Sequence, residues 1–221
     1  MKQLYYEWKI HFSYLYFVPV VILGVLLVNL WQTAVNPYFE AQLRELYYVL
    51  EIYWPLTLAL GLSTLLPQEY ETGMLKLRLS YPQGYKSAIL QKLMLPVLWW
   101  LAIGMLAGWW AHQYYLAFDI WDMLIVVVPP TVFLGGLALL ASAYFLNSII
   151  SMLITLLWWA WELLTAGVRS GNLALLPYSF NNTVNIAIGR NRAILIILGI
   201  AFGYLAMIVI EKRGGSYGSN P

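Results

Sequence analysis

Long apolar stretches, each near the length of a bilayer crossing, alternate along this chain with short polar breaks. The pattern predicts six spans, at about 14–35, 46–67, 93–113, 122–146, 148–167 and 193–211. Each supplies close to the roughly 20 residues that cross a hydrocarbon core. Between the fourth and fifth spans only Asn147-Ser148 interrupts the run, so those two helices must meet at a very tight turn. Pro129-Pro130, near the middle of the fourth span, predicts a kink or break there. Gly104-x-x-x-Gly108 in the third permits close helix approach.

Shorter pieces flank the spans. Residues 1–13 read as an interfacial helix, with Leu4, Tyr5, Trp8 and Phe12 on one face and Lys2, Glu7, Lys9 and His11 elsewhere. The plainer alternative is a polar lead-in to the first span. The opening residues do not read as a signal peptide, because the apolar run behind them is long enough to span. In the 168–192 segment, Leu173–Tyr178 is apolar yet too short to cross. It is predicted as a short helix at, or dipping into, the outer leaflet, where protein completes its backbone hydrogen bonds. Residues 212–221 are expected to form a flexible tail, since Gly214-Gly215-Ser216 opens a linker-like composition. The predicted fold is all-α: one polytopic transmembrane domain over residues 1–211.

The longest polar interruption, residues 68–91, carries the most information. Glu69 and Glu71 precede Gly73, a charged amphipathic turn with Lys76 and Arg78 follows, and Pro82 stops it. Thr72-Gly73 can break one helix, and Pro82-Gln83-Gly84 reads as a turn before a helix restarts near Lys86. A short helix pinned at both ends to spanning helices can pass force from a soluble partner into the bilayer.

This segment resembles the cytoplasmic loop between the second and third spans of the type-2 ATP-binding-cassette (ABC) exporter permeases. Their pattern is Glu-x-Glu-x-Gly-Thr, then leucines, a proline, and a lysine opening the third span. Glu69, Glu71, Gly73, Leu75, Leu79, Pro82 and Lys92 fall on that spacing without a gap. Met74 stands where threonine is usual and Gln91 where glycine precedes the lysine; neither change removes a charge. The match covers about a tenth of the chain. It implies a coupling helix within 69–81 that docks into a cleft on a separate ATPase, with Glu69, Glu71, Lys76 and Arg78 making contacts and Gly73 and Pro82 shaping the loop. It also implies short re-entrant helices at 168–192 that plug the outer end of a pathway. A solvated loop face is the ordinary alternative for such charges.

Composition agrees with a membrane class. Hydrophobic residues are 62% and charged residues 10% of the chain, more apolar surface than a soluble domain of this size requires. A net charge of only +2 gives no support to a nucleic-acid partner. The absence of cysteine excludes disulfides and thiolate metal sites. With both termini inside, Lys2, Lys9, Lys76, Arg78, Lys86, Lys92, Lys212 and Arg213 collect on the cytoplasmic side. Arg44, Arg169, Arg190 and Arg192 then fall outside. All lysines are inside, as the positive-inside rule expects for a multi-pass plasma-membrane protein.

Enzyme chemistry is not visible. No Gly-x-x-x-x-Gly-Lys-[Ser/Thr] loop occurs, so ATP and Mg would be bound by a partner and this chain would hold no cofactor. His11 and His112 lie far apart without metal-ligand spacing, and no histidine sits mid-span to activate a nucleophile. Two carboxylates stand out. Glu51 lies about one turn inside the second span, and Glu162 follows Trp158, Trp159 and Trp161 near the outer end of the fifth. A carboxylate at such depth costs on the order of a few kcal/mol unless paired or hydrated. Either both snorkel into the aromatic belt or pair with Arg44 or Arg169, or they face a translocation pathway near its exit.

The leading expectation is the membrane-spanning subunit of an ABC exporter. It would work with two copies of a separate ATPase and with a second copy or paralogue of the permease. An amphipathic peptide, antibiotic or lipid-like substrate is expected by analogy of architecture. The rival is a non-transporting scaffold or sensor that docks a cytoplasmic partner, and a membrane-embedded enzyme ranks third.

Overall fold

The computed structural model describes residues 21, 24–25, 39–73, 85–114, 119–165, 169–170, 173–176 and 188–217. These form five long helices: α1 (Phe39–Glu71), α2 (Tyr85–Tyr114), α3 (Ile120–Phe145), α4 (Ser148–Thr165) and α5 (Ile188–Tyr217). Among the described residues there is no strand. Four stretches, Lys92–Gln113, Ile120–Phe145, Ser148–Thr165 and Ile188–Arg213, are long and apolar enough to cross a membrane. They match the third to sixth predicted spans. The second predicted span lies inside α1, which is long enough but is not one of these four. Of the first span only residues 21, 24 and 25 are described, and they are helical. The predicted interfacial helix at 1–13 lies outside the described residues.

Burial explains why α1 tolerates a more polar sequence. It packs against α3 and α4, and its Glu51, Thr57, Ser63, Thr64 and Glu69 are all buried in protein. The hydroxyls return to the helix: Thr57 donates to the Trp54 carbonyl (2.7 Å), Ser63 to Leu60 (2.6 Å) and Thr64 to Gly61 (2.9 Å). That satisfies each hydroxyl without water. The outer helices do the reverse. Leu98, Leu106 and Trp109 of α2, Leu153, Leu157 and Leu164 of α4, and Ile197 and Ile200 of α5 are exposed. An apolar exterior around a core that holds carboxylates and hydroxyls is the arrangement a lipid surround favours, because uncovered polar groups there find no partner.

α3 and α5 make the closest crossing. A Cβ at Gly136 would fall on the Gly199 carbonyl oxygen, and one at Gly199 on the Val132 carbonyl oxygen. Only glycine at both positions lets the two backbones touch, the small-residue mode of packing between membrane helices. α3 is continuous through Pro129 and Pro130, so the predicted break does not occur. Both prolines are buried in the bundle, where neighbouring helices can support a locally weakened ladder.

Helix ends correct several predicted boundaries. The tight turn at Asn147 is present: α3 stops at Phe145, Leu146 takes the left-handed conformation (φ 51°), and α4 starts at Ser148. The Asn147 side chain caps α4, accepting from the amides of Ile149 (2.9 Å) and Ile150 (3.2 Å). α2 restarts at Tyr85, as the Pro82-Gln83-Gly84 pattern predicted. α5 begins at Ile188, inside the segment predicted to be re-entrant, and continues to Tyr217. Residues 212–217 of the expected flexible tail are therefore helical. A helix already stabilised by packing over many turns can extend through two glycines, which cost about 1 kcal/mol each.

Candidate functional site

Two buried charge clusters lie along α1, one about three turns in from its start and one in its last turn. At the first, Glu51 is fully buried and accepts from the Arg192 guanidinium of α5 at 2.6 Å. The backbone beside it is also bound by side chains. The Trp159 indole N–H of α4 donates to the Ile52 carbonyl (2.8 Å), and that of Trp100 in α2 to the Trp54 carbonyl (3.1 Å). Pro55, within this stretch of α1, has no N–H to donate to the Glu51 carbonyl four residues back.

The same cluster grips a short non-helical piece of chain. Residues 174–176 are buried, with Leu175 wholly so. The Leu175 amide donates to the Glu162 carboxylate of α4 (3.0 Å), and its carbonyl accepts from Arg192 (3.2 Å). The Asn191 amide of α5 donates to the Ala174 carbonyl (2.9 Å). Side chains from two helices thus take the place of a backbone ladder. Ser170 is half-buried, with its hydroxyl beside the Glu162 carboxylate.

Glu51 and Glu162, expected separately, are brought into one network through Leu175 and Arg192. The partner found for Glu51 is Arg192 rather than Arg169, which is exposed. The Arg44 side chain lies outside the described residues. Neither carboxylate snorkels: both are 0% exposed. Leu173–Leu176 is not a helix lying on the bundle surface. Leu173 is in 3-10 conformation, residues 174–176 are irregular, and these three are buried among the helices. Residues 177–187 of the predicted external segment lie outside the described residues.

Arg192, Asn191 and Leu175 were missed as site residues. Their only sequence signal was an Asn-Arg pair at the mouth of an apolar run, and nothing in that pair names a partner 141 positions away.

At the second cluster, Glu69 forms a buried ion pair with Lys92 of α2. The Glu69 carboxylate, expected to make a docking contact, is 1% exposed and turned toward α2. Lys92, noted for its place in the motif, holds the root of the 68–91 loop closed. Glu71, the last residue of α1, is exposed. The helix ends through Thr72, whose hydroxyl and amide bind the Gln68 carbonyl, and Gly73 at φ 72°. A left-handed glycine just past a helix end satisfies the final carbonyls without a Cβ penalty. Lys76, Arg78 and Pro82 lie outside the described residues. Near the same end, Arg213 of α5 donates to the Tyr144 carbonyl at the end of α3.

Among the described residues no group of three or more His, Cys, Asp or Glu side chains is placed to hold a metal ion. Compared with known protein families, with curated proteins and with solved structures, the chain shows no significant match to any.

Proposed function

We propose that this chain is the transmembrane subunit of an ATP-driven exporter of the type-2 permease class. It would move an amphipathic or hydrophobic substrate with a separate ATPase present in two copies. The observation that carries this reading is the Glu69–Lys92 ion pair. Two residues of the loop motif meet in the fold, and they tie together the helices on either side of the loop. A partner that pushes on the loop then moves α1 and α2 as one body. An exposed tether would absorb the push.

α1 gives that movement somewhere to go. Glu69 and Glu51 are 18 positions apart on one unbroken helix, about 27 Å at 1.5 Å per residue. Displacement at the loop root is delivered to the cluster that grips residues 174–176. Exposed Glu71 and the turn at Gly73 lie where a docking partner would engage. By the same reading two permease chains face each other, since one bundle of this size does not enclose a two-sided pathway.

The test is coexpression with a candidate partner ATPase. The purified complex should contain two permease and two ATPase chains, and the permease alone should neither bind nor hydrolyse ATP. Glu71→Ala should weaken attachment of the ATPase, because a charge-assisted contact at a partner surface supplies both energy and orientation. A chain that performs its activity with no ATPase would overturn the exporter reading and favour a scaffold or sensor.

A further inference from the structure

Residues 174–176 are held as a bound peptide would be held. Glu162 takes the Leu175 N–H, Arg192 the Leu175 carbonyl and Asn191 the Ala174 carbonyl. The three side chains read only main-chain groups, one acceptor for an N–H and two donors for carbonyls. This arrangement recognises a bent, irregular apolar backbone with little regard to its side chains, through its main-chain groups. The side chains of Ala174, Leu175 and Leu176 occupy the surrounding apolar space and are 1% exposed or less. The single backbone–backbone bond described for this piece, Leu173 N–H to the Ser170 carbonyl (2.9 Å), lies at its start. Beyond it, side chains from other helices do the holding.

We infer that Glu162, Asn191 and Arg192 form a peptide-backbone binding site that residues 174–176 occupy as an internal ligand. Its external ligand is a short apolar peptide segment with a free N–H and carbonyl at the matching positions. Glu51 is a positioning residue for this site, because it fixes the Arg192 guanidinium through the 2.6 Å ion pair. The inference deepens the transport reading by naming a substrate class, and it rests on that reading only for the direction of movement. Binding itself needs no ATPase.

Internal occupancy lowers apparent affinity by the fraction of chains in which the site is free. Loosening residues 174–176 should therefore raise affinity for an external peptide. The probe is a fluorescently labelled, N-acetylated and C-amidated Ala-Leu-Leu peptide, titrated by anisotropy into the purified full chain in detergent. Its control carries an N-methyl group on the central amide, which removes the donor to Glu162 and leaves micelle partitioning almost unchanged. Leu175→Pro, which deletes the internal N–H, should bind the probe at least tenfold more tightly than the wild type. Leu176→Ala, a milder loosening, serves if the proline variant does not elute as a folded species. Glu162→Gln or Arg192→Gln added to the loosened chain should cut affinity about tenfold, and N-methylation should do the same.

Equal binding of the methylated and unmethylated probes, or equal affinity in wild-type and loosened chains, would overturn the site. Export of a non-peptide substrate with an ATPase, without probe binding, would reject this site and leave the transport reading standing. Probe binding by a chain that recruits no ATPase would do the opposite.

Discussion

α1 carries one buried carboxylate in its body and one in its last turn, and the two are partnered in different ways. Glu69 meets a lysine on the very next helix, at the root of the loop that joins them. Glu51 meets an arginine on the last helix, and that arginine also holds a carbonyl of an inserted chain segment. The first pair is a clamp between sequence neighbours. The second is one member of a network in which each contact fixes the geometry of the next. A buried ion pair seldom stabilises a fold more than an apolar pair of the same shape, so its retention in both places points to specificity. At Glu69, the specificity is the register of two helices at a loop. At Glu51 it is the placement of residues 174–176.

The comparison can be broken by removing one charge at a time. The largest effect is expected for Glu51→Leu or Arg192→Leu, each of which strands an uncompensated charge in the bundle. Breaking a buried pair this way costs about 3–5 kcal/mol. Thermal unfolding in detergent should drop sharply for either single variant. The double variant should lose less than the sum of the two, because the coupling is direct. Glu69→Leu or Lys92→Met should cost less, on the order of 2–3 kcal/mol, because this pair lies closer to a helix end where water can relax the stranded charge. Exchanging the charges sharpens the contrast. Glu69→Lys with Lys92→Glu should recover much of the loss. Glu51→Arg with Arg192→Glu should not, because a glutamate at 192 cannot donate to the Leu175 carbonyl.

A substitution between the two pairs is a control for both. Gly199→Ala puts a methyl group into the α3 backbone at Val132, and overpacking of this kind costs about 1–3 kcal/mol. Because it separates helices that serve both pairs, probes of solvent access at Glu51 and at Glu69 should rise together. A change at one pair alone would show that the crossing does not connect them. The smallest effect on stability is expected at Gly73. Its positive φ disfavours a side chain by about 1 kcal/mol, although no described residue crowds the position. Gly73→Leu should therefore leave folding almost intact while uncoupling the loop. On the exporter reading proposed above, ATP hydrolysis by the assembled complex should continue, and transport should fall. Wild-type transport in that variant would contradict the docking assignment.

Much of this was legible along the chain because it depends on local chemistry. Runs of apolar residues near bilayer length specify spanning helices whatever their neighbours, since an unsatisfied backbone cannot persist in hydrocarbon. Asn147 announces its turn because an Asn at that position can cap the following helix. Gly73 marks the end of α1 by its own φ. Glu69 and Lys92 were legible as members of one loop motif, but neither their pairing nor their burial was visible in it. Glu51 and Glu162 were conspicuous as carboxylates at membrane depth, and that alone flagged them.

What only the tertiary structure decided is who meets whom. Arg192, next to an apolar run, has no local feature that selects Glu51 over any other acid. The choice is made by α5 crossing α3 at two facing glycines, which sets where the first turn of α5 falls beside α1. The Leu173–Leu176 piece has the composition of something lying against lipid. Its burial among helices followed from three side chains arriving at its amide and carbonyls from elsewhere. Pattern along the chain reports which groups need a partner, because desolvation is a property of each residue and its neighbours. It does not report which partner, because that depends on distances set by every helix at once.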